Sequence, residues 1–115
     1  MTWDRAYANL KQTFVPGSEI KRSNSGRTYC VDSWFDEDGQ ENLRYTVANK
    51  VIPVVWIRVS FEQLMTEGEL RTAWFIARFY DGKDLGGCNF TTIGALLCGI
   101  GVAVKAKRGL YRLKS

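Results

Sequence analysis

Trp3, Ala6, Tyr7, Leu10 and Phe14 recur at helical spacing, so residues 2–14 are expected to form an amphipathic helix. Thr2 supplies its N-cap, and Pro16-Gly17 stops it. The period then changes. Glu19 to Ser23 and Arg27 to Trp34 read as two strands, and Asn24-Ser25-Gly26 between them tolerates positive φ, so a β-hairpin is expected. Tyr29 and Val31 fall on one side of the second strand, Cys30 and Asp32 on the other. Asp36 to Gln40 reads as a polar turn. Asn42 to Val47 reads as a third strand, alternating Leu43, Tyr45 and Val47 with Arg44 and Thr46.

Val51 to Val59 is rich in β-branched residues and is expected to be extended, with Pro53 at a sheet edge or before the strand begins. Ser60-Phe61-Glu62-Gln63 has the form of a capping box, which predicts a helix opening at Ser60, with Phe61, Leu64 and Met65 inward and Gly68 at its end. Leu70 to Tyr80 fits two periods. Ala73, Trp74, Ala77 and Tyr80 fit a helix face, which is preferred, while Trp74-Phe75-Ile76 would also suit a strand. After a loop over residues 81–87, Asn89, Thr91 or Thr92 is expected to cap a short helix, Thr92 to Cys98, with Ile93, Leu96 and Leu97 inward. Val102 to Lys107 and Leu110 to Lys114 form a second hairpin around Arg108-Gly109. This order predicts an α+β fold: an antiparallel β-meander with flanking helices and a C-terminal β-hairpin.

The chain of 115 residues fits one small α+β domain over residues 1–115, and at 45% hydrophobic it has enough apolar material for one core. Met1-Thr2-Trp3-Asp4-Arg5 lacks the charged leader and apolar run of a signal peptide, and the apolar stretch Phe90 to Val104 is too short to span a bilayer. The three cysteines are odd in number and irregularly spaced. A cytoplasmic protein without membrane partners is expected.

Charge changes the picture more. The net charge is +4, yet residues 100–115 hold Lys105, Lys107, Arg108, Arg112 and Lys114 and no acid. Removing those five leaves eleven basic against twelve acidic residues in 1–99, so the body is near neutral and the positive charge is a C-terminal feature. Such a strip suits phosphate. A helix followed by a basic hairpin also has the outline of a winged helix-turn-helix C-terminus, in which basic side chains position the protein on nucleic acid. The competing explanation is a solvated hairpin whose lysines guard its edge. Ile93-Gly94-Ala95-Leu96-Leu97-Cys98 offers almost nothing polar to a base edge.

Catalytic signatures are sparse. The chain has no histidine, which removes histidine-based nucleophilic sites and the commonest zinc ligand. Cys88 precedes an expected helix start, where the helix dipole lowers a thiol pKa, but a packing role is preferred for Cys30, Cys88 and Cys98 alike. Glu19-Ile20-Lys21 and Asp81-Gly82-Lys83 match the half-motif of metal-dependent nucleases, with Asp4 the only acid upstream of the first. Asp36-Glu37-Asp38-Gly39 lacks the later glutamate of a calcium loop. No cofactor, metal site or catalytic residue is assigned. The alternative to nucleic-acid contact is a small-molecule or protein-interaction domain, a homodimer in this reading, with a cavity lined by Trp34, Trp56 and Trp74.

Glu19 to Trp34, Ile57 to Gly68 and Asn89-Phe90-Thr91-Thr92-Ile93-Gly94-Ala95-Leu96-Leu97 together resemble small accessory proteins of bacterial mobile elements, such as orphan products of integron gene cassettes and DNA-binding modules of restriction enzymes. The resemblance implies a small, cytoplasmic, often oligomeric α+β protein and carries over no catalytic residue.

Overall fold

The computed structural model describes residues 1–22, 28–46, 50–82 and 87–115. Its first element, α1 (Trp3–Thr13), lies where the helical spacing puts it. The Arg5 N–H donates to Thr2 Oγ1 at 3.3 Å, which satisfies one of the free donors of the first turn, and Ala6 and Leu10 are buried.

β1 (Glu19–Ile20) and β2 (Tyr29–Glu37) pair antiparallel, with Glu19 opposite Cys30 and Ile20 opposite Tyr29. The turn expected at Asn24-Ser25-Gly26 lies outside the described residues. Tyr29 and Val31 are buried and Asp32 is exposed, as the alternation requires. β3 (Gln40–Thr46) follows after only Asp38-Gly39, whose φ values are 53° and 78°. Asp-Gly at two left-handed positions closes the tight hairpin turn, so Asp36 and Glu37 stay in the strand and the polar turn is shorter than its composition suggested. β3 ends at Thr46, and Val47 lies outside the described residues. β4 (Lys50–Pro53) completes the sheet in the order β1-β2-β3-β4. Pro53 thus sits on an edge strand, where a missing N–H does no harm.

The β-branched run does not continue as a strand. Val54 to Glu67 forms α2, with Pro53 at its N-cap, so Ser60 opens nothing and lies buried in mid-helix. Ile57, Ser60, Phe61 and Leu64 recur at helical spacing and are all buried. Packing that face outweighs the weak helix propensity of Val54, Val55 and Val59, which is only a few tenths of a kcal/mol per residue, roughly. Gly68, at φ 79°, ends α2 and donates its N–H to the Leu64 carbonyl at 2.8 Å.

The two-period segment divides. β5 (Glu69–Arg71) is a short strand and α3 (Thr72–Phe79) a helix. Phe75 is its buried residue, while Ala73 and Ala77 are exposed, so the larger ring turns inward and the expected face is rotated. α4 (Gly87–Gly99) begins earlier than expected and takes Asn89, Thr91 and Thr92 into its body, so none of the three caps it. Ile93, Leu96 and Leu97 are buried as expected. Gly94 permits close packing here, because a Cβ added to it would lie 2.1 Å from the Tyr111 ring. β6 (Ala103–Lys107) and β7 (Leu110–Leu113) form the C-terminal hairpin, and β5 joins the far side of β7 to give the order β5-β7-β6.

The class is therefore α+β, with a four-stranded meander and a smaller three-stranded antiparallel sheet. α2 and α4 each contact both sheets, so helices join them, and one buried cluster runs from Ala6 to Tyr111. Among the described residues, no helix is long and apolar enough to cross a membrane.

Candidate functional site

The basic end is built on β6 and β7. Arg108-Gly109 forms the turn, with Lys107 opposite Leu110 and Gly109 at φ 78°. This tip does not project freely. Thr72, the first residue of α3, donates its N–H to the Gly109 carbonyl at 3.1 Å and its hydroxyl to the same oxygen at 3.4 Å.

Lys107, Arg108, Arg112 and Lys114 are exposed. Lys105 is placed differently. It is half-buried in the row Leu70–Tyr111–Lys105, whose other two members are core residues, and its charge acts on Cys98 of α4. Arg112 lies in the neighbouring row, between Glu69 and Val104. Strand alternation therefore puts Lys105 and Arg112 on opposite faces of the sheet. Glu69 tempers one side of the strip. It forms a surface ion pair with Arg71 at 2.9 Å, and the hydrogen bond from Arg71 holds its carboxyl below the usual range despite slight desolvation, with help from the charges of Arg71 and Arg112. Arg71 is a cation the sequence reading missed, because only the pairing of β5 with β7 brings it opposite Leu110.

α4 is not available as a groove-reading helix along Thr92 to Leu97, since each of those residues is buried. The helix–hairpin outline is present, but α4 is packed between two sheets.

The tryptophans divide as well. Trp56 stacks on Phe79 at 4.6 Å, and Trp74 meets the same ring edge-on at 6.0 Å. Phe75 touches Trp56, Phe79 and Phe90, and Phe90 touches Tyr111, so these rings lead into the core. Trp34 is elsewhere. Its Nε1 donates to the Phe14 carbonyl at 2.8 Å, and Lys11 Nζ lies 4.7 Å from its ring centre. Among the described residues no ring contact joins Trp34 to Trp56 or Trp74. A groove of about 270 Å³ is instead lined by Trp3, Gln40, Glu41, Val54, Val55 and Arg58.

A polar cluster at the start of α4 is the most concentrated chemistry. Cys88 and Thr92 lie one helical turn apart, and Arg22 bridges them, its Nη1 donating to Cys88 Sγ at 3.2 Å and to Thr92 Oγ1 at 3.3 Å. The Arg22 guanidinium also lies 4.2 Å from the Tyr29 ring centre. Tyr45 Oη is 3.4 Å from Cys88 Sγ and donates to Asn89 Oδ1 at 2.8 Å, while Asn89 Nδ2 donates to Tyr80 Oη at 3.3 Å. Burial pushes the Cys88 thiol up, but hydrogen bonds with Tyr45 and Arg22 and the charges of Arg22 and Lys50 outweigh it and hold the thiol below its ordinary value. Burial, then the contact with Cys88, drives the Tyr45 phenol upward. At Cys98 burial outweighs the charge and the backbone N–H of Lys105, and that thiol is raised. The sequence placed Cys88 ahead of a helix start, whereas α4 starts at Gly87 and takes Cys88 into its first turn; Arg22 follows β1 and Tyr45 lies in β3, and no local signal linked them to it.

The nuclease half-motif is dispersed. Glu19 and Lys21 are exposed beside Ile20, Asp4 is in the first turn of α1, and Lys83 lies outside the described residues. Among the described residues no three His, Cys, Asp or Glu side chains gather as a metal site. No family model, curated protein or solved structure matches the chain.

Proposed function

We propose that this chain is a binding module that contacts nucleic-acid phosphate through its C-terminal hairpin, as the likeness to mobile-element accessory proteins suggested. One observation carries the reading: Lys107, Arg108, Arg112 and Lys114 are all exposed on a hairpin whose tip is fixed to α3, and residues 100–115 contain no acid. Cations on a held backbone lose less freedom on binding than cations on a loose loop. With Thr92 to Leu97 of α4 buried, the contact is to backbone phosphate and not to base edges. The contact is therefore expected to be independent of sequence.

The test is charge reversal at the tip. K107E/R108E should lower affinity for an oligonucleotide by about tenfold or more, since several phosphate contacts are lost and repulsion is added. Unchanged affinity in a folded variant would remove the hairpin from the interface. The groove beside Trp3 supports a second reading, a small-ligand site, which predicts a ligand-dependent change in tryptophan fluorescence lost in W3F.

A further inference from the structure

Arg22 is a half-buried cation with an incomplete set of partners. Its Nε is enclosed, and among the described residues it has no acceptor and no Asp or Glu forms an ion pair with Arg22. Its described partners are Cys88 Sγ, the Thr92 hydroxyl and the face of Tyr29. A desolvated guanidinium is stabilised by an anion. Cys88 is the group in contact that supplies one: a thiolate needs only to lose a proton, at the first turn of a thirteen-residue helix whose N–H groups favour negative charge. Among the described residues, the charged and titratable groups that act on it favour or accommodate that form. Arg22 comes from the segment just after β1, Lys50 from β4, and Tyr45 from β3 remains a protonated hydroxyl beside the sulfur.

We propose that Cys88 is a thiolate held as the counter-ion of Arg22, and that it is the chain's site of covalent modification by peroxides and small soft electrophiles. This stands independently of the phosphate-contact reading. Cys88 is partly exposed, so small reagents reach it. With hydrogen peroxide the thiolate sulfur attacks one oxygen and the O–O bond breaks. Sulfur is oxidised by two electrons to sulfenic acid, and the departing hydroxide takes a proton from solvent and leaves as water. Thr92 and Arg22 then remain placed to hydrogen-bond the new S–O group.

The chain carries its own controls. Cys30 lies on the opposite face of β2 from Tyr29, and Cys98 is the thiol raised by burial. Each pKa unit of lowering raises the thiolate fraction about tenfold below both pKa values but lowers intrinsic nucleophilicity, for a net gain of about threefold. Intact protein is treated with substoichiometric iodoacetamide from pH 5 to 10, and each cysteine is quantified by mass spectrometry. At pH 7 Cys88 should be alkylated at least about threefold faster than Cys30 or Cys98, with a midpoint below theirs. R22Q should raise that midpoint and slow the reaction, while T92V, which leaves the guanidinium in place, should change it less. Peroxide should add one oxygen to Cys88 first, trapped by a 1,3-diketone. A Cys88 midpoint at or above that of Cys30 overturns the proposal on the wild-type protein alone, whether or not R22Q folds.

Discussion

The Thr72 N–H donates to the Gly109 carbonyl at 3.1 Å, so the start of α3 holds the tip of the basic hairpin. α3 in turn packs Phe75 into the core, and Phe75 touches Phe90 of α4. The exposed cations at Lys107 and Arg108 are thus carried on backbone connected to the centre of the molecule, which is how a surface strip acquires a fixed geometry.

Gly109 is the position where this arrangement is most vulnerable. Its φ is 78°, and an added Cβ would lie 2.8 Å from Thr72 Oγ1. G109A should therefore lower stability by about 1–3 kcal/mol in urea unfolding. The double variant with T72A should lose less than the sum of the two single changes, because removing the Thr72 side chain opens the space. Full additivity would show that the contact is not made.

Glu41 ties α1 to β3. It accepts from Tyr7 at 2.5 Å and forms an ion pair with Lys11. Burial pushes its carboxyl up, but the hydrogen bonds from Lys11 and Tyr7 and the charge of Lys11 together bring it below its usual value. A carboxyl lowered in the folded state stabilises above its unfolded pKa, and that contribution is lost as pH falls through the folded value. Stability should accordingly decline from about pH 5 downward. E41Q should cost about 1–2 kcal/mol at pH 7 and flatten that decline in denaturation measured at a series of pH values. An equally steep decline in E41Q would place the effect elsewhere.

Ser60 is fully buried in α2, and its Oγ has no hydrogen-bond partner among the described residues. Removing an unpaired buried hydroxyl relieves a desolvation penalty, so S60A should leave the melting temperature unchanged or raise it, by up to about 1 kcal/mol of stability. A clear loss would mean that the hydroxyl has a partner.

Much of the fold was legible because it follows local periodicity. α1 and its Thr2 cap, the alternation of Tyr29 and Val31, the end of α2 at Gly68 and the Arg108-Gly109 turn all rest on residues within one element. The failures share a cause. Val54 to Val59 look extended until Ile57, Ser60, Phe61 and Leu64 are placed against partners distant in sequence, and Ser60 looks like a cap only if the helix starts there. Asn89, Thr91 and Thr92 likewise look like caps until α4 starts ahead of them. The candidate sites followed the same rule. The basic strip was readable as a run, but that Lys105 turns to the α4 side while Arg112 turns away depends on β7 pairing with both neighbours. Arg22, Tyr45 and Cys88 are separated by long stretches of chain and are joined only by the packing of α4 on the first sheet.

The most direct measurement is the affinity of the intact protein for a labelled oligonucleotide across a range of salt concentrations. Three to four engaged phosphates give a slope of log K against log salt of roughly −2 to −4, depending on strandedness. The slope should become shallower in K107E/R108E and should not depend on base sequence. Affinity that is insensitive to salt, or a slope unaltered by the reversal, would contradict phosphate contact by the hairpin.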